Sequence, residues 1–192
     1  MTQDRRLYEF VYRGLLTEEA LDAAGRLHPH ALTATESEIT EALSFELFDP
    51  DMLSSAQRMS IVYAAIATFE HSARKFIERV LVDAFGEEWQ SKISASVRKF
   101  AEERRDDEAK TKWHGVRGTD LLGYTELKHL PQIITQHWDL FDPYVRSQQW
   151  ATSIFTTLER SRNVIMHSGT LDLPDVERIG IAMRDWNKQV GL

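Results

Sequence analysis

Apolar residues recur every three or four positions through most of the chain, which is the spacing of one face of an α-helix. The longest of these stripes predicts a helix over residues 51–85, with Gly86 as the left-handed residue that ends it. Two further stripes predict helices over residues 87–110 and 145–168, and Gly169 is expected to stop the second. Strand patterns are nearly absent, so the sequence predicts an all-α fold.

The segments between and after these stripes are shorter. The glycine-containing stretch 113–124 predicts a loop, and a short helix is expected to begin at Thr125. Pro131 suits the first turn of another helix, which ends near Phe141. The last helix is predicted to open at Pro174, and its apolar residues step three and four positions apart. That spacing forms a seam suited either to the core or to a partner helix.

The start of the chain differs from the rest, because an Asp-Pro-Asp sequence interrupts the helical pattern there. Short helices are expected before the break. Thr17 is suited to cap one of them, and Thr35 with Glu38 has the sequence of a capping box. We therefore predict an N-terminal helical extension over residues 1–50 and an antiparallel helical bundle over residues 51–192.

Composition narrows the classes of protein that this bundle can represent. The formal net charge of −7 over 192 residues excludes a protein that grips nucleic acid with its whole surface, but a local basic pocket stays open. The absence of cysteine excludes disulfides and thiolate metal sites, and it fits a reducing cytosol. The first residues lack a signal-peptide core, and no apolar run is long enough to cross a membrane. We expect a cytoplasmic protein.

The segment most suggestive of chemistry lies near the end of the predicted helix over residues 145–168. On a helical projection, Leu158 and Ile165 face the core. Asn163 and His167 lie on the opposite side, one turn apart, and Arg162 lies at the edge of the apolar stripe. An arginine and a histidine five positions apart are also common on solvated surfaces, so the spacing alone leaves both interpretations open.

These residue types suit RNA cleavage by attack of the 2′-hydroxyl, which needs a base, an acid and cations around the phosphate. His167 is the candidate acid or base, Arg162 the phosphate ligand, and Asn163 the group that orients His167 or binds phosphate. Glu159 can support them, because it can reach Arg162 or Asn163 along the helix. The reaction needs no metal ion or cofactor, and a symmetric dimer along this helix would unite two histidines and two arginines.

The Arg162-Asn163-x3-His167 sequence resembles the motif of the HEPN superfamily, in which an arginine precedes a histidine by about four to six residues. The likeness extends beyond the motif. FEHSARKFIERVLVDAFGEEWQ and YTELKHLPQIITQHWDLF resemble segments of the HEPN branch found beside a PIN-type nuclease in eukaryotes. The resemblance covers about residues 55–186.

Several expectations follow from this resemblance. Many HEPN proteins are homodimeric endoribonucleases of toxin–antitoxin, CRISPR-linked and phage-defence systems, which implies an RNA substrate and an antitoxin or defence-system partner. Arg162 and His167 would take the catalytic positions and Asn163 the supporting one. Some branches carry a tyrosine where this chain has Gly169, so a role for that tyrosine does not transfer. Other members do not cut, which leaves a module that binds RNA, a nucleotide or a protein as the alternative.

Two other candidates depend on how the helices pack. In HEPN folds the long helix lies near the motif helix, so Glu70 and Arg74 are candidates to line the site; an ordinary surface ion pair is the alternative. His28 and His30 have the spacing of metal ligands but lack a third one nearby, which favours a loop turn.

A short basic stretch surrounds Trp113. It contains Lys110, Lys112, His114 and Arg117 and would suit single-stranded RNA. The alternative, which we favour from the sequence, is a half-buried tryptophan that anchors a charged loop.

Overall fold

The computed structural model describes Thr17 and residues 34–191. The pair His28 and His30 lies outside the described residues, as do the neighbours that a cap at Thr17 requires. The chain divides into two compact units, residues 1–49 and 50–192.

In the first unit, helix α1 (Glu36–Ala42) begins with the predicted capping box. The Glu38 backbone N–H donates to the Thr35 hydroxyl at 3.2 Å, and the Glu38 carboxylate accepts from the Thr35 N–H at 2.6 Å. The bond from the Thr35 N–H, followed by the one that the Thr35 hydroxyl donates to the same carboxylate at 2.8 Å, lowers the pKa of Glu38.

The second unit is built from helices, and its described residues contain no strand, which confirms the all-α prediction. Its helices are α2 (Pro50–Phe85), α3 (Trp89–Lys92), α4 (Ala95–Glu108), α5 (His129–Gln136), α6 (Trp138–Phe141), α7 (Gln148–Met166) and α8 (Leu173–Val190). The bounds of α2 agree with the longest apolar stripe, and Gly86 has the expected left-handed backbone with a φ of 58°. No helix among the described residues is long and apolar enough to cross a membrane.

The prediction of a single helix over residues 87–110 was wrong. The segment begins with a 3₁₀ turn (Gly86–Glu88), and a break at Ile93 then separates α3 from α4. The Gln136 side chain explains the break. Its Oε1 accepts from the Ser94 N–H at 2.9 Å and its Nε2 donates to the Lys92 carbonyl at 2.7 Å. Backbone groups that a continuous helix would pair internally are satisfied by α5 instead.

The predicted short helices were also placed inaccurately. Thr125 ends a 3₁₀ turn (Leu121–Tyr124) rather than starting a helix, and α5 begins at His129. The helix expected to run on to Phe141 is divided at His137 into α5 and α6, because His137 leaves the helical conformation at φ −112° and ψ 37°.

The core forms around α2, and the seam of α8 faces it. Trp186 of α8 is fully buried, with its ring centroid 5.8 Å from that of Phe69, 5.9 Å from Phe76 and 5.1 Å from Phe155. Trp150 of α7 stacks on it at 5.8 Å. Of the two roles open to the seam, its spacing therefore serves the core, and this packing fixes α7 beside α2.

Candidate functional site

The predicted motif residues lie in the last two turns of α7, but they do not share one surface. The Arg162 Nε lies 3.8 Å from Oε2 of Glu70, and its side chain is 33% exposed. Asn163 and His167 are both exposed. The structure therefore brings Arg162 against α2 and leaves the other two on the open side of the helix.

The end of α7 explains why His167 is accessible. His167 is the C-cap residue, and Ser168 follows it in the left-handed conformation with a φ of 61°. The N–H of Ser168 donates to Ile165 O at 3.0 Å and that of Gly169 to Val164 O at 2.8 Å, which is a Schellman motif. The left-handed residue is thus Ser168, and Gly169, which was expected to stop the helix, follows it. A Cβ on Gly169 would lie 2.7 Å from Cγ1 of Val164, so glycine permits this close turn.

Glu70 connects α2 to the motif helix. It is only 8% exposed, and its Oε1 accepts from Nη2 of Arg74 at 2.5 Å while its Oε2 faces Arg162. The same Nη2 donates to the carbonyl of Thr125 at 2.9 Å. Glu70 and Arg74 therefore lie with Arg162, and the burial of Glu70 does not fit an ordinary surface ion pair.

Glu159 does not join this group, although the sequence placed it within reach of Arg162 or Asn163. It lines a separate groove between α5 and α7, beside Lys128 and Thr135. Among the described residues, the carboxylate that faces Arg162 is that of Glu70 instead. Spacing along α7 cannot reveal this arrangement, because Glu70 belongs to α2, which lies on that side of the helix.

Arg162, Arg74 and Glu70 form one end of a cleft of about 470 Å³ between α2, α4, α7 and the segment before α5. Its polar lining includes Tyr63, Glu70, His71, Glu126 and four arginines, Arg74, Arg104, Arg117 and Arg162. Arg74 comes from α2, Arg104 from α4 and Arg162 from α7. These side chains therefore meet only in the folded chain.

An ion-pair network surrounds this cleft, and it contains more cations than carboxylates. Glu70 faces two arginines, Glu126 contacts Arg104 at 3.0 Å and Lys128 at 2.5 Å, and Glu108 contacts Arg117 at 3.2 Å. Five cations thus share three carboxylates, an excess of two positive charges in a chain whose net charge is −7. A cleft with this local balance attracts anions.

Sequence reasoning missed Arg104 as a cleft residue, because it lies in a run of charged residues with no apolar stripe. Its guanidinium carbon lies 4.8 Å from the ring centroid of Phe100, one turn earlier on α4. A phenylalanine and an arginine at this spacing were the available signal, since the ring holds the cation against the fold.

The pKa values of two groups beside the cleft, Glu126 and His129, are both lowered. The hydrogen bond from Lys128, followed by the attraction of Lys128 and Arg104, lowers the pKa of Glu126. Burial lowers the pKa of His129, and the nearby Lys128 adds to the effect. The His129 Nδ1 accepts from the Glu126 N–H at 3.0 Å, a bond that requires an unprotonated Nδ1. This histidine is therefore neutral at neutral pH and serves the structure.

His129 makes the stability of the protein depend on pH. The unfolded chain takes up a proton near the ordinary pKa of 6.5, whereas the folded chain takes it up only at lower pH. The free energy of unfolding should therefore be unaffected by this group above about pH 6.5 and fall below it. Urea titrations at about pH 7.5 and about pH 5.5 measure the difference, which His129→Asn should reduce. An equal decrease in both proteins would contradict the assignment.

The loop after α4 contradicts the interpretation that we favoured for Trp113. The Trp113 side chain is 85% exposed rather than half-buried, and its ring meets only the edge of His114, at 5.6 Å between centroids, among the aromatic contacts of the described residues. Nearby Arg117 lines the cleft that also contains Arg74, Arg104 and Arg162, which is called the arginine cleft below.

Within residues 34–191, no group of three or more His, Asp or Glu side chains is placed to hold a metal ion.

In a comparison with known protein families, the model of the Swt1-like HEPN family matches residues 64–191. This span includes α7, most of α2 and the lining of the arginine cleft except Tyr63. It confirms the resemblance to the HEPN superfamily. Neither the curated proteins nor the solved structures give a match.

Proposed function

The chain belongs to the Swt1-like HEPN family, and on this premise we propose that it is an endoribonuclease that cleaves RNA without a metal ion. One observation carries the proposal. Arg162 opens onto a cleft with excess positive charge, while His167 stands exposed at the end of the same helix. A phosphate ligand and a proton-transfer group thus lie on consecutive turns of α7.

The proposed step is an internal transesterification. The 2′-oxygen of a ribose attacks the adjacent phosphorus, and its proton passes to a neutral histidine. The bond from phosphorus to the 5′-oxygen breaks, and that oxygen takes a proton from a histidinium. Arg162 neutralises the charge that develops on the phosphate oxygens, and Asn163 orients His167 or binds phosphate. The products are a 2′,3′-cyclic phosphate and a 5′-hydroxyl.

Two histidines are needed for this step, and each chain supplies one at the motif. We therefore propose a homodimer that packs through the end of α7. Val164 and Met166, which precede His167 in the last turn of α7, are 39% and 54% exposed and offer apolar surface there. In such a dimer the two His167 side chains act as base and acid on one phosphate.

We further propose that residues 51–192 form the HEPN domain and residues 1–50 an extension to it. Many HEPN proteins belong to toxin–antitoxin and phage-defence systems, which supports a toxin or phage-defence setting in which an antitoxin or another defence protein restrains the cleavage.

A binding module without catalysis is the second candidate. The observation that favours it is that the Arg162 guanidinium already faces the Glu70 carboxylate at 3.8 Å. In that case the same cleft binds RNA, a nucleotide or an acidic protein segment and leaves it intact.

The purified protein should cut a labelled RNA pool in EDTA and leave 2′,3′-cyclic phosphate ends. A matched oligonucleotide with one 2′-deoxyribose at the mapped cleavage position should resist cutting at that position, because the nucleophile is missing. Intact RNA that stays bound to the protein would favour the binding module. Cutting at the deoxyribose would overturn the proposed chemistry.

A further inference from the structure

The loop between α4 and the 3₁₀ turn at Leu121–Tyr124 presents two large apolar side chains to solvent. Trp113 is 85% exposed and Val116 is 70% exposed. Tryptophan usually buries most of its ring in a core or an interface, so a ring this exposed indicates a surface made for contact.

This loop is fixed to the fold despite its exposure. The N–H of Thr111 donates to the carbonyl of Glu108 at 2.9 Å, and the N–H of His114 donates to that of Thr111 at 3.1 Å. On its other side, the N–H of Arg117 donates to the Glu108 carboxylate at 3.0 Å. The side chain of Glu108 is 16% exposed, so the loop is attached to a half-buried anchor. Trp113 therefore loses little freedom when it binds a ligand.

The space beneath the loop continues into the arginine cleft. A hollow of about 630 Å³ is lined by His114 and Val116 from the loop, and by Arg104 and Arg117. The same two arginines line the cleft that contains Arg162. One surface therefore runs from His114, whose ring contacts that of Trp113, to the motif helix. It passes the guanidinium groups of Arg104 and Arg117 and the carboxylates of Asp107 and Glu108.

We propose that this surface is a binding track for single-stranded RNA. An unpaired base stacks on the indole of Trp113, and the phosphates that follow it contact Arg117 and Arg104 before the scissile phosphate reaches Arg162. Single strands fit because their bases are free to stack, whereas the bases of a duplex are already stacked on each other. The proposal rests on RNA being the ligand of the proposed function, and it adds the site that positions the strand.

The charges around Trp113 favour RNA over a protein partner. Lys112 and His114 flank the ring in sequence, and the track leads to the network with two cations in excess. A docking surface for a protein more often has an apolar centre depleted of charged residues. Here the exposed apolar groups lie at the edge of a charged groove.

Fluorescence anisotropy with a labelled single-stranded RNA tests the track, and a His167→Ala background separates binding from cleavage. Trp113→Ala should weaken binding about 5- to 150-fold, the range for loss of one stacked base. Trp113→Phe keeps a stacking surface and should retain most of the affinity. Ile181→Ala removes an apolar group of α8 that is 51% exposed and lines neither the hollow nor the cleft, so it should leave binding unchanged. Circular dichroism shows that each variant is folded.

Equal RNA affinity for wild type and Trp113→Ala would overturn the track. So would a Trp113→Ala variant that keeps its RNA affinity but loses self-association in sedimentation, because the loop would then be a protein contact. If binding depends on Trp113 but the wild type never cuts RNA, the track stands and the endoribonuclease proposal fails. If the wild type cuts RNA but binding does not depend on Trp113, the endoribonuclease proposal stands and the track fails.

Discussion

Alanine in place of His167 is expected to lower the rate of RNA cleavage by about 10²- to 10⁴-fold, the contribution of a general acid or base. The side chain is exposed at the end of α7, and the backbone N–H that bonds to Asn163 is kept in the variant. The melting temperature and the self-association of the protein should therefore stay near their wild-type values. Single-turnover cleavage of a labelled RNA measures the rate.

Thr170→Ala is the matched control for this variant, since Thr170 is also exposed and lies three residues further along the same turn. It should cut RNA at the wild-type rate. Full activity in His167→Ala would remove His167 from the reaction. A loss of dimer in that variant would instead mean that the residue acts through assembly.

Alanine in place of Arg162 is expected to reduce cleavage about 10²- to 10³-fold, the usual cost of removing one group that stabilises transition-state charge. Arg162→Lys should recover only part of the loss, because an ammonium group lacks the two-pronged geometry that matches a phosphate. Arg160→Ala provides the comparison, since Arg160 is an exposed arginine of the same helix. It should leave the rate unchanged, as measured in the single-turnover assay.

Arg162→Ala also separates catalysis from stability. Removal of the Arg162 side chain leaves Glu70 paired with Arg74, so the free energy of unfolding should change only slightly. A large decrease in stability with a proportional loss of activity would show that Arg162 serves mainly to hold α7 on α2. Equal loss in the Arg160 and Arg162 variants would point to a general charge effect.

Long helices were predictable because their apolar stripes must face the core. The stripe of α2 predicted bounds within one residue of those observed, and the seam of α8 led to the buried Trp186. The division between α3 and α4 was not predictable. It depends on the side chain of Gln136, whose backbone partner Ser94 lies 42 residues earlier in the chain.

The candidate site was predictable only where it is local. A motif within one helix identified Arg162 and His167, but helical spacing could not show that Glu70, 92 residues earlier, replaces Glu159 as the partner of Arg162. The exposure of Trp113 was missed for a different reason. A tryptophan in a charged loop was assumed to bury its ring, and the anchor at Glu108 that allows it to stay exposed is a tertiary contact.

The cations of the cleft are already paired with carboxylates, so an anion binds there by exchange. Glu70 and Glu126 each face two cations, so an incoming phosphate must displace oxygens that already occupy the guanidinium groups. A single phosphate gains little from such an exchange. A strand that brings several phosphates exchanges them together and releases its own counterions. The cleft is therefore expected to retain long strands and to let short fragments go, which would clear the products of cutting without any movement of the fold.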